Sequence, residues 1–277
     1  MFDSFLIVIR SAGERTTALC REIAAGQVPE DNIVVIREAP FTQAIKRTFE
    51  LGIERALPWT LALDADVLLH ANAVGVLHKV AAMCSGNIFE VQGCILDKLF
   101  ACPRAAGNHL FRTRLLEDAI KHIPEENIAG RPESFVIRKM ENDGYPQIQL
   151  DNVLGLHDFE QFYRDIFRKS FQHGQKHRRY IPYLEPLWRR LSKHDPDYVI
   201  ARRGLKASKK MKGFLNIDVR PFEEMKNIFP RWSRIREKAE LAPEHCKAQD
   251  IERLIDSFQL PPEHVIFQKI LDGAHDN

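Results

Sequence analysis

The hydrophobic pattern opens on an unbroken apolar run, "FLIVIR" from Phe5 to Arg10, which is how a strand covered on both faces reads. The next stretch, "TTALCREIAAG", predicts a helix with Thr16 or Thr17 near its cap and Gly26 as its stop. "NIVVIRE" predicts a second strand. "FTQAIKRTFELGIERAL" then carries Ile45, Phe49 and Ile53 at helical spacing, and "WTLALDAD" reads as a third strand. Strand, helix, strand, helix, strand, joined by a few residues each time, predicts a parallel α/β sheet.

Further on, the pattern predicts a helix over Ala73–Met83, strands near Ile88–Val91 and His109–Arg112, and helices in "TRLLEDAIKHI" and "ESFVIRKMENDGY", the latter stopped by Gly144. "PQIQL" is a further strand. "LHDFEQFYRDIFRKSF" predicts a helix with Phe159, Phe162, Tyr163, Ile166 and Phe167 on one side, and Asp158 and Gln161 have the spacing of a capping box. From about Gln172 the chain turns basic, proline-punctuated and helical. The expected organisation is an α/β domain over residues 1–157 and a basic, mainly helical region over 158–277.

Composition narrows the class. At 44% hydrophobic and 28% charged over 277 residues the chain is globular. Its five cysteines include no C-x-x-C spacing, which argues against a disulfide framework or zinc ribbon and fits a reducing compartment. "FLIVI" is too short for a signal segment and lacks a basic lead. No apolar run approaches the roughly 20 residues that span a bilayer. The expectation is a cytoplasmic protein. Net charge is only +2, yet 21 Lys and Arg face 9 Asp and Glu between Arg164 and Glu240, leaving the remainder acidic. Such asymmetry points to an anionic partner. The basic stretches "HGQKHRRY" and "ARRGLKASKKMKG" suit closure over a diphosphate, peripheral contact with an anionic membrane on its inner face, or a solvated face. Nucleic acid is not expected: Tyr180 and Phe214 alternate poorly with the cations, where single-strand binding wants stacking platforms.

The sharpest chemical signal is Asp64 and Asp66, set between Leu61-Ala62-Leu63 and Val67-Leu68-Leu69 with no Lys or Arg close to them in the chain. Buried carboxylates are costly unless paired or metal-bound. Alternation along a strand aims both side chains the same way, and two such groups suit Mg²⁺ or Mn²⁺. The bland alternative is an acidic turn after a buried strand.

"LALDADVLL" resembles the Asp-x-Asp motif of GT-A glycosyltransferases, particularly the large family 2 type. "FLIVIRSAGER", "IVVIREAP", "LGIERA", "AGNHLFRTRLLEDA" and "PESFVIRKMENDGYPQIQL" follow in the order of that family's segments, from about Phe5 to His157. The resemblance implies a Rossmann-like, mostly parallel sheet flanked by helices, with the C-terminal helices as an extension. It implies a metal-dependent transfer of a sugar from a nucleotide-diphosphate donor to a hydroxyl, inverting if attack is direct, with a glycan or lipid-linked acceptor.

On that resemblance, Arg10, Ser11, Glu14, Glu38 and Asp64 would meet the nucleotide. Asp64, Asp66 and His157 would hold Mn²⁺ or Mg²⁺, and Glu133 would act as general base. Glu133 stands in Pro132-Glu133 where the family has Glu-Asp, and Phe49-Glu50 replaces its Arg-Asn. Local alternatives are a helix-entry role for His157, a first-turn role for Glu133, a plain loop at Arg10–Glu14, and a surface turn for Asp97, the other acid considered for the acceptor side. Asp158 is expected to cap its helix. Two rival functions are a nucleotidyltransferase acting on sugar phosphates, against which "RSAGERT" is poor in glycine, and a non-catalytic nucleotide-sugar or anionic-surface binding module.

Overall fold

The computed structural model describes residues 2–272 apart from 127, 129, 211–235, 243 and 245; Lys212 and Phe214 therefore lie outside the described residues. In chain order the elements are β1 (Phe5–Arg10), α1 (Thr17–Ala25), β2 (Ile33–Ile36), α2 (Phe41–Arg55), β3 (Trp59–Asp64), β4 (Val67–Leu69), α3 (Ala73–Met83), β5 (Glu90–Asp97), β6 (Cys102–Ala105), β7 (Asn108–Arg112), α4 (Leu116–Ile120), α5 (Pro132–Asn142), β8 (Gln147–His157), α6 (Tyr163–Lys176), α7 (Ile181–Leu191), α8 (Pro196–Ser208), α9 (Ala248–Asp256) and α10 (His264–Asp272).

The strands form one sheet in the order β2-β1-β3-β7-β5-β8-β4, with β6 paired to β5. β1 runs parallel to β2 and β3, and β5 parallel to β8. β7 is antiparallel to both β3 and β5, β4 to β8, and β6 to β5. The sheet is thus mixed α/β: its parallel opening is the part that local periodicity describes, and the antiparallel strands arrive from the middle of the chain. All six residues of β1 are buried, because strands flank it on both edges and helices cover its faces.

Several boundaries move. β5 continues to Asp97 and β8 to His157, since each extends along its neighbour: Asp97 and Val67 both register with His157. The helix expected from about Leu156 starts only at Tyr163, with Phe162 at its cap position. Asp158 therefore caps nothing. Its φ is +65°, a left-handed conformation that aspartate tolerates better than most residues. "TRLLEDAIKHI" is helical only over Leu116–Ile120, after a 3₁₀ turn.

The main core lies on one face of the sheet and includes Leu241, Cys246 and Ile251 from the C-terminal part. A second cluster joins Leu99, Phe100 and Cys102 to Tyr183, Leu184, Leu187, Trp188, Ile200 and Leu205. The polar tips buried there are satisfied: Trp188 donates to the Leu99 carbonyl at 2.6 Å and Tyr198 to that of Lys98 at 2.8 Å. α6 packs closely on α8, where a side chain on Gly204 would stand 2.5 Å from the Phe167 carbonyl. Ile166 and Phe167 of α6 share this second cluster with Leu99 and Phe100, just past the end of β5. Among the described residues no helix is long and apolar enough to cross a membrane.

Candidate functional site

β1 and β3 run side by side, with Arg10 in register with Asp64 at their carboxyl ends. Open α/β sheets gather ligands at that end. Two charged clusters meet there.

The first is centred on Arg10. Its guanidinium donates to Asp64 Oδ1 from Nε at 2.9 Å, and to Glu133 Oε1 from Nη1 at 2.6 Å. Glu133, in the first turn of α5, also lies 3.0 Å from His109 Nε2. His109, on β7, bonds Glu90 Oε1 through Nδ1 at 2.5 Å and stacks on Phe111. Burial raises Glu133's pKa, but Arg10 and then His109 outweigh it and hold the carboxyl well below its usual range. Burial lowers that of His109, and Glu133 and Glu90 reverse this, raising it to about 10. Asp64 is raised, by burial first, with Arg10 working against the shift. Gly107 presses on this group: its φ is +63°, it accepts from the Asp64 amide at 2.9 Å, and a Cβ there would fall 2.6 Å from Val67 and 3.3 Å from Asp64 Oδ2. Only glycine lets the backbone come so near.

The second cluster begins two residues on. Asp66 sits not on β3 but in the Ala65-Asp66 turn before β4, so the two aspartates turn to different partners. Lys169 of α6 bonds both Asp66 Oδ2 and Asp158 Oδ1. His157 Nε2 lies 3.5 Å from Asp66 Oδ1, while its Nδ1 bonds Asp97 Oδ2 at 2.9 Å. Asp97 is wholly buried and also takes Arg104 Nε at 2.6 Å and the Phe100 amide at 2.8 Å; it is no surface turn. Burial opposes ionisation of Asp66, but Lys169 and then His157 keep its pKa well below the usual range. Burial lowers that of His157, and Asp158, Asp66 and Asp97 carry it up to about 9.

Asp66, His157 and Asp158 offer ligand atoms within 4.8 Å of one another. Asp66 Oδ1 and Asp158 Oδ2 are buried with no hydrogen-bond partner. This set fits a divalent cation: two carboxylate oxygens without a hydrogen-bond partner, and an imidazole whose Nδ1, held by Asp97, lies 3.4 Å from Asp158 Oδ2 while Nε2 turns to Asp66 Oδ1; a carboxylate on the far ring nitrogen is the usual outer-shell arrangement. Asp64, expected in the set, is instead bonded to Arg10, and Asp158, expected at a helix cap, belongs to it.

The remaining expected residues are placed as follows. Ser11 and Glu14 form a closed loop: Glu14 Oε2 accepts from Ser11 Oγ at 3.0 Å and from the Ala12 amide at 2.6 Å, and Gly13 N donates to Ser11 Oγ. Those turn amides have internal partners. Glu38 is exposed in the loop after β2 and takes part in neither cluster. Sequence reading missed Lys169, His109, Glu90 and Arg104. His109 lies inside the quoted "AGNHLFRTRLLEDA", one strand position from an apolar pair, but Lys169 stands in an ordinary amphipathic helix with nothing local to mark it.

No protein-family model matches the chain, and no curated protein matches it. Several solved structures are similar to it in part, among them these three. A mannosyltransferase from Pyrobaculum calidifontis, in complex with GDP-Man and Mn²⁺, matches over 85% of this chain and 82% of its own, at 14% identity and a TM-score of 0.40. A glycosyltransferase involved in the glycosylation of the major capsid of PBCV-1 matches over 53% and 81%, at 14% identity and 0.39. A cytidylyltransferase from Leptospira borgpetersenii serovar Hardjo-bovis matches over 55% and 78%, at 15% identity and 0.38. These are partial likenesses of shape; what this protein does is decided by its own side chains.

Proposed function

We propose that the protein is a divalent-cation-dependent glycosyltransferase, moving a sugar from a nucleotide-diphosphate donor to a hydroxyl acceptor. The observation that carries this reading is the pair of buried oxygens without a hydrogen-bond partner, Asp66 Oδ1 and Asp158 Oδ2, on either side of the His157 ring just beyond the carboxyl end of β3. Asp66, Asp158 and His157 would hold Mn²⁺ or Mg²⁺, which supplies a Lewis acid for the charge that develops on a leaving diphosphate.

The other groups act as this chain's own machinery. Arg10, oriented by Asp64 and Glu133, presents a fixed guanidinium at the carboxyl end of β1. Asp64 is the residue closest to free for a ribose hydroxyl, since its side chain is 30% exposed against 4% for Arg10. Glu133 is deprotonated, as a base must be, but both its oxygens face cations, and a carboxyl held far below neutrality is a weak base. Its first role is to fix Arg10 and His109. Base action would require an acceptor hydroxyl to replace one of those partners, and direct attack by that hydroxyl would invert the anomeric centre.

The test is a thermal-shift series of nucleoside diphosphates with and without Mn²⁺. A ligand at 100 times its dissociation constant stabilises by about 2.7 kcal/mol, well within reach of the method. The expected result is stabilisation by a nucleoside diphosphate that needs Mn²⁺. No response to any nucleoside diphosphate in the presence of Mn²⁺ or Mg²⁺ overturns the reading.

A further inference from the structure

Around the end of α6, cations gather without acids. Arg131, at the cap of α5, donates from Nη2 to the His177 ring at 3.1 Å. Lys176 donates from Nζ to the Gly130 carbonyl at 3.3 Å. Arg179 lies over the Tyr180 ring and bonds its hydroxyl at 2.7 Å. Among the described residues no carboxylate lies within 4.0 Å of Arg131, Lys176 or Arg179. The contrast with nearby surface is plain: Lys209 pairs with Glu185 and Arg190 with Glu263.

Burial, with the crowding of like charge added to it, works against the charged forms of Lys176 and His177. Burial and then Arg131 push the Lys176 pKa down to about 8. Burial, then Arg131, Arg104, Lys176 and Arg179, push that of His177 down to about 4. A neutral imidazole that accepts from Arg131 keeps the guanidinium in place while adding no positive charge.

We propose that Arg131, Lys176 and Arg179, arranged around His177, form a binding site for a phosphate or pyrophosphate group. A guanidinium fork and an ammonium are the side chains suited to phosphoryl oxygens. Binding of the anion stands on its own; only the naming of its source rests on the sugar-transfer reading. The site does adjoin the acidic end: the His177 and His173 rings are 5.4 Å apart, His173 is 5.0 Å from Phe100, Arg104 lies over Phe100 at 4.9 Å, and Arg104 bonds Asp97, which bonds His157. Two sources share the chemistry, the diphosphate of a nucleotide and a phosphate carried on an acceptor.

The experiment titrates inorganic pyrophosphate into the full chain by calorimetry at low salt, for wild type, for Arg131→Gln/Lys176→Gln, and for Lys206→Gln/Lys210→Gln as a control of equal charge change on exposed positions of the chain. Saturable binding by wild type, at least tenfold weaker in the first variant and unchanged in the control, is the expected result. The first variant should also melt no lower than wild type without anion, because repulsion has been removed; a structural role would lower it. Arg179→Gln, at an exposed position, repeats the measurement with a single change and should weaken binding several-fold. Equal binding by wild type and the first variant, equal loss in the control, or no binding by wild type overturns the site. A nucleoside diphosphate run in parallel separates the sources: a matching loss assigns the site to the nucleotide's diphosphate, and an unchanged affinity assigns it to an acceptor phosphate.

Discussion

Lys169 and Asp66 stand 103 positions apart and share a largely buried charge-assisted hydrogen bond, and the same ammonium bonds Asp158. The protein thus carries its own cation against two of the three groups that fit a metal. Lys169 takes Asp66 Oδ2 and Asp158 Oδ1, leaving Oδ1 and Oδ2, respectively, without a hydrogen-bond partner. Part of the acidic charge is balanced before any ligand arrives.

Lys169→Met keeps most of the side chain's length, short of the ammonium, and removes that balance. Breaking a buried ion pair by deleting one partner costs about 3–5 kcal/mol, so the variant should be markedly less stable. Mn²⁺ should then stabilise it more than it stabilises wild type, since the two carboxylates lose their competitor. Denaturant melts with and without Mn²⁺ make the comparison. A Mn²⁺ shift no larger than that of wild type would show that Lys169 and the cation do not compete.

Asp66→Ala removes a ligand while leaving Lys169 bonded to Asp158. Mn²⁺-dependent nucleotide affinity should disappear, with the circular dichroism spectrum retained. His157→Ala should weaken Mn²⁺ binding less, because both carboxylates remain. Isothermal titration reads both variants, and wild-type metal affinity in Asp66→Ala would sink the metal assignment.

Glu133→Gln separates two roles. As an anchor, Glu133 holds Arg10 and His109 by charge, so the amide should loosen nucleotide binding together with turnover. As a base, its loss should lower turnover by about 10²–10⁴-fold and leave nucleotide affinity intact. The geometry favours the first outcome, and steady-state kinetics beside a binding isotherm tell them apart.

His109 gives stability a pH signature. Its pKa is raised in the folded protein to about 10, from about 6.5, so the charged form is favoured by folding. The stabilisation is full below pH 6.5 and is lost as pH rises through 10. Wild type should therefore lose stability between pH 7 and 10, and His109→Gln should lose less over the same interval. Because His157, raised to about 9, titrates there too, the measured quantity is the difference between the two proteins in urea midpoint against pH. Parallel curves would remove His109 from the balance.

What the sequence by itself determined is what short-range periodicity encodes. The run Phe5–Arg10, the four-residue, helical spacing of Ile45, Phe49 and Ile53, and the helix Ala73–Met83 were all legible because each forms on local propensity and a face to bury. Asp64 and Asp66 were legible as chemistry because acids in apolar company demand an explanation. The tertiary structure decided their partners. Arg10 reaches Asp64 only because β1 and β3 register side by side. Lys169 reaches Asp66 from α6, whose Ile166 and Phe167 are buried in one cluster with Leu99 and Phe100 just past β5. β8 could not be seen to run on to His157, since its end is set by pairing with β4 and β5 rather than by its own residues. That same pairing took His157 and Asp158 out of the helix and put them beside Asp66. Hydrogen bonds between distant strands and Coulomb attraction between distant charges depend on separation in space, and a pattern read along the chain contains only separation in sequence.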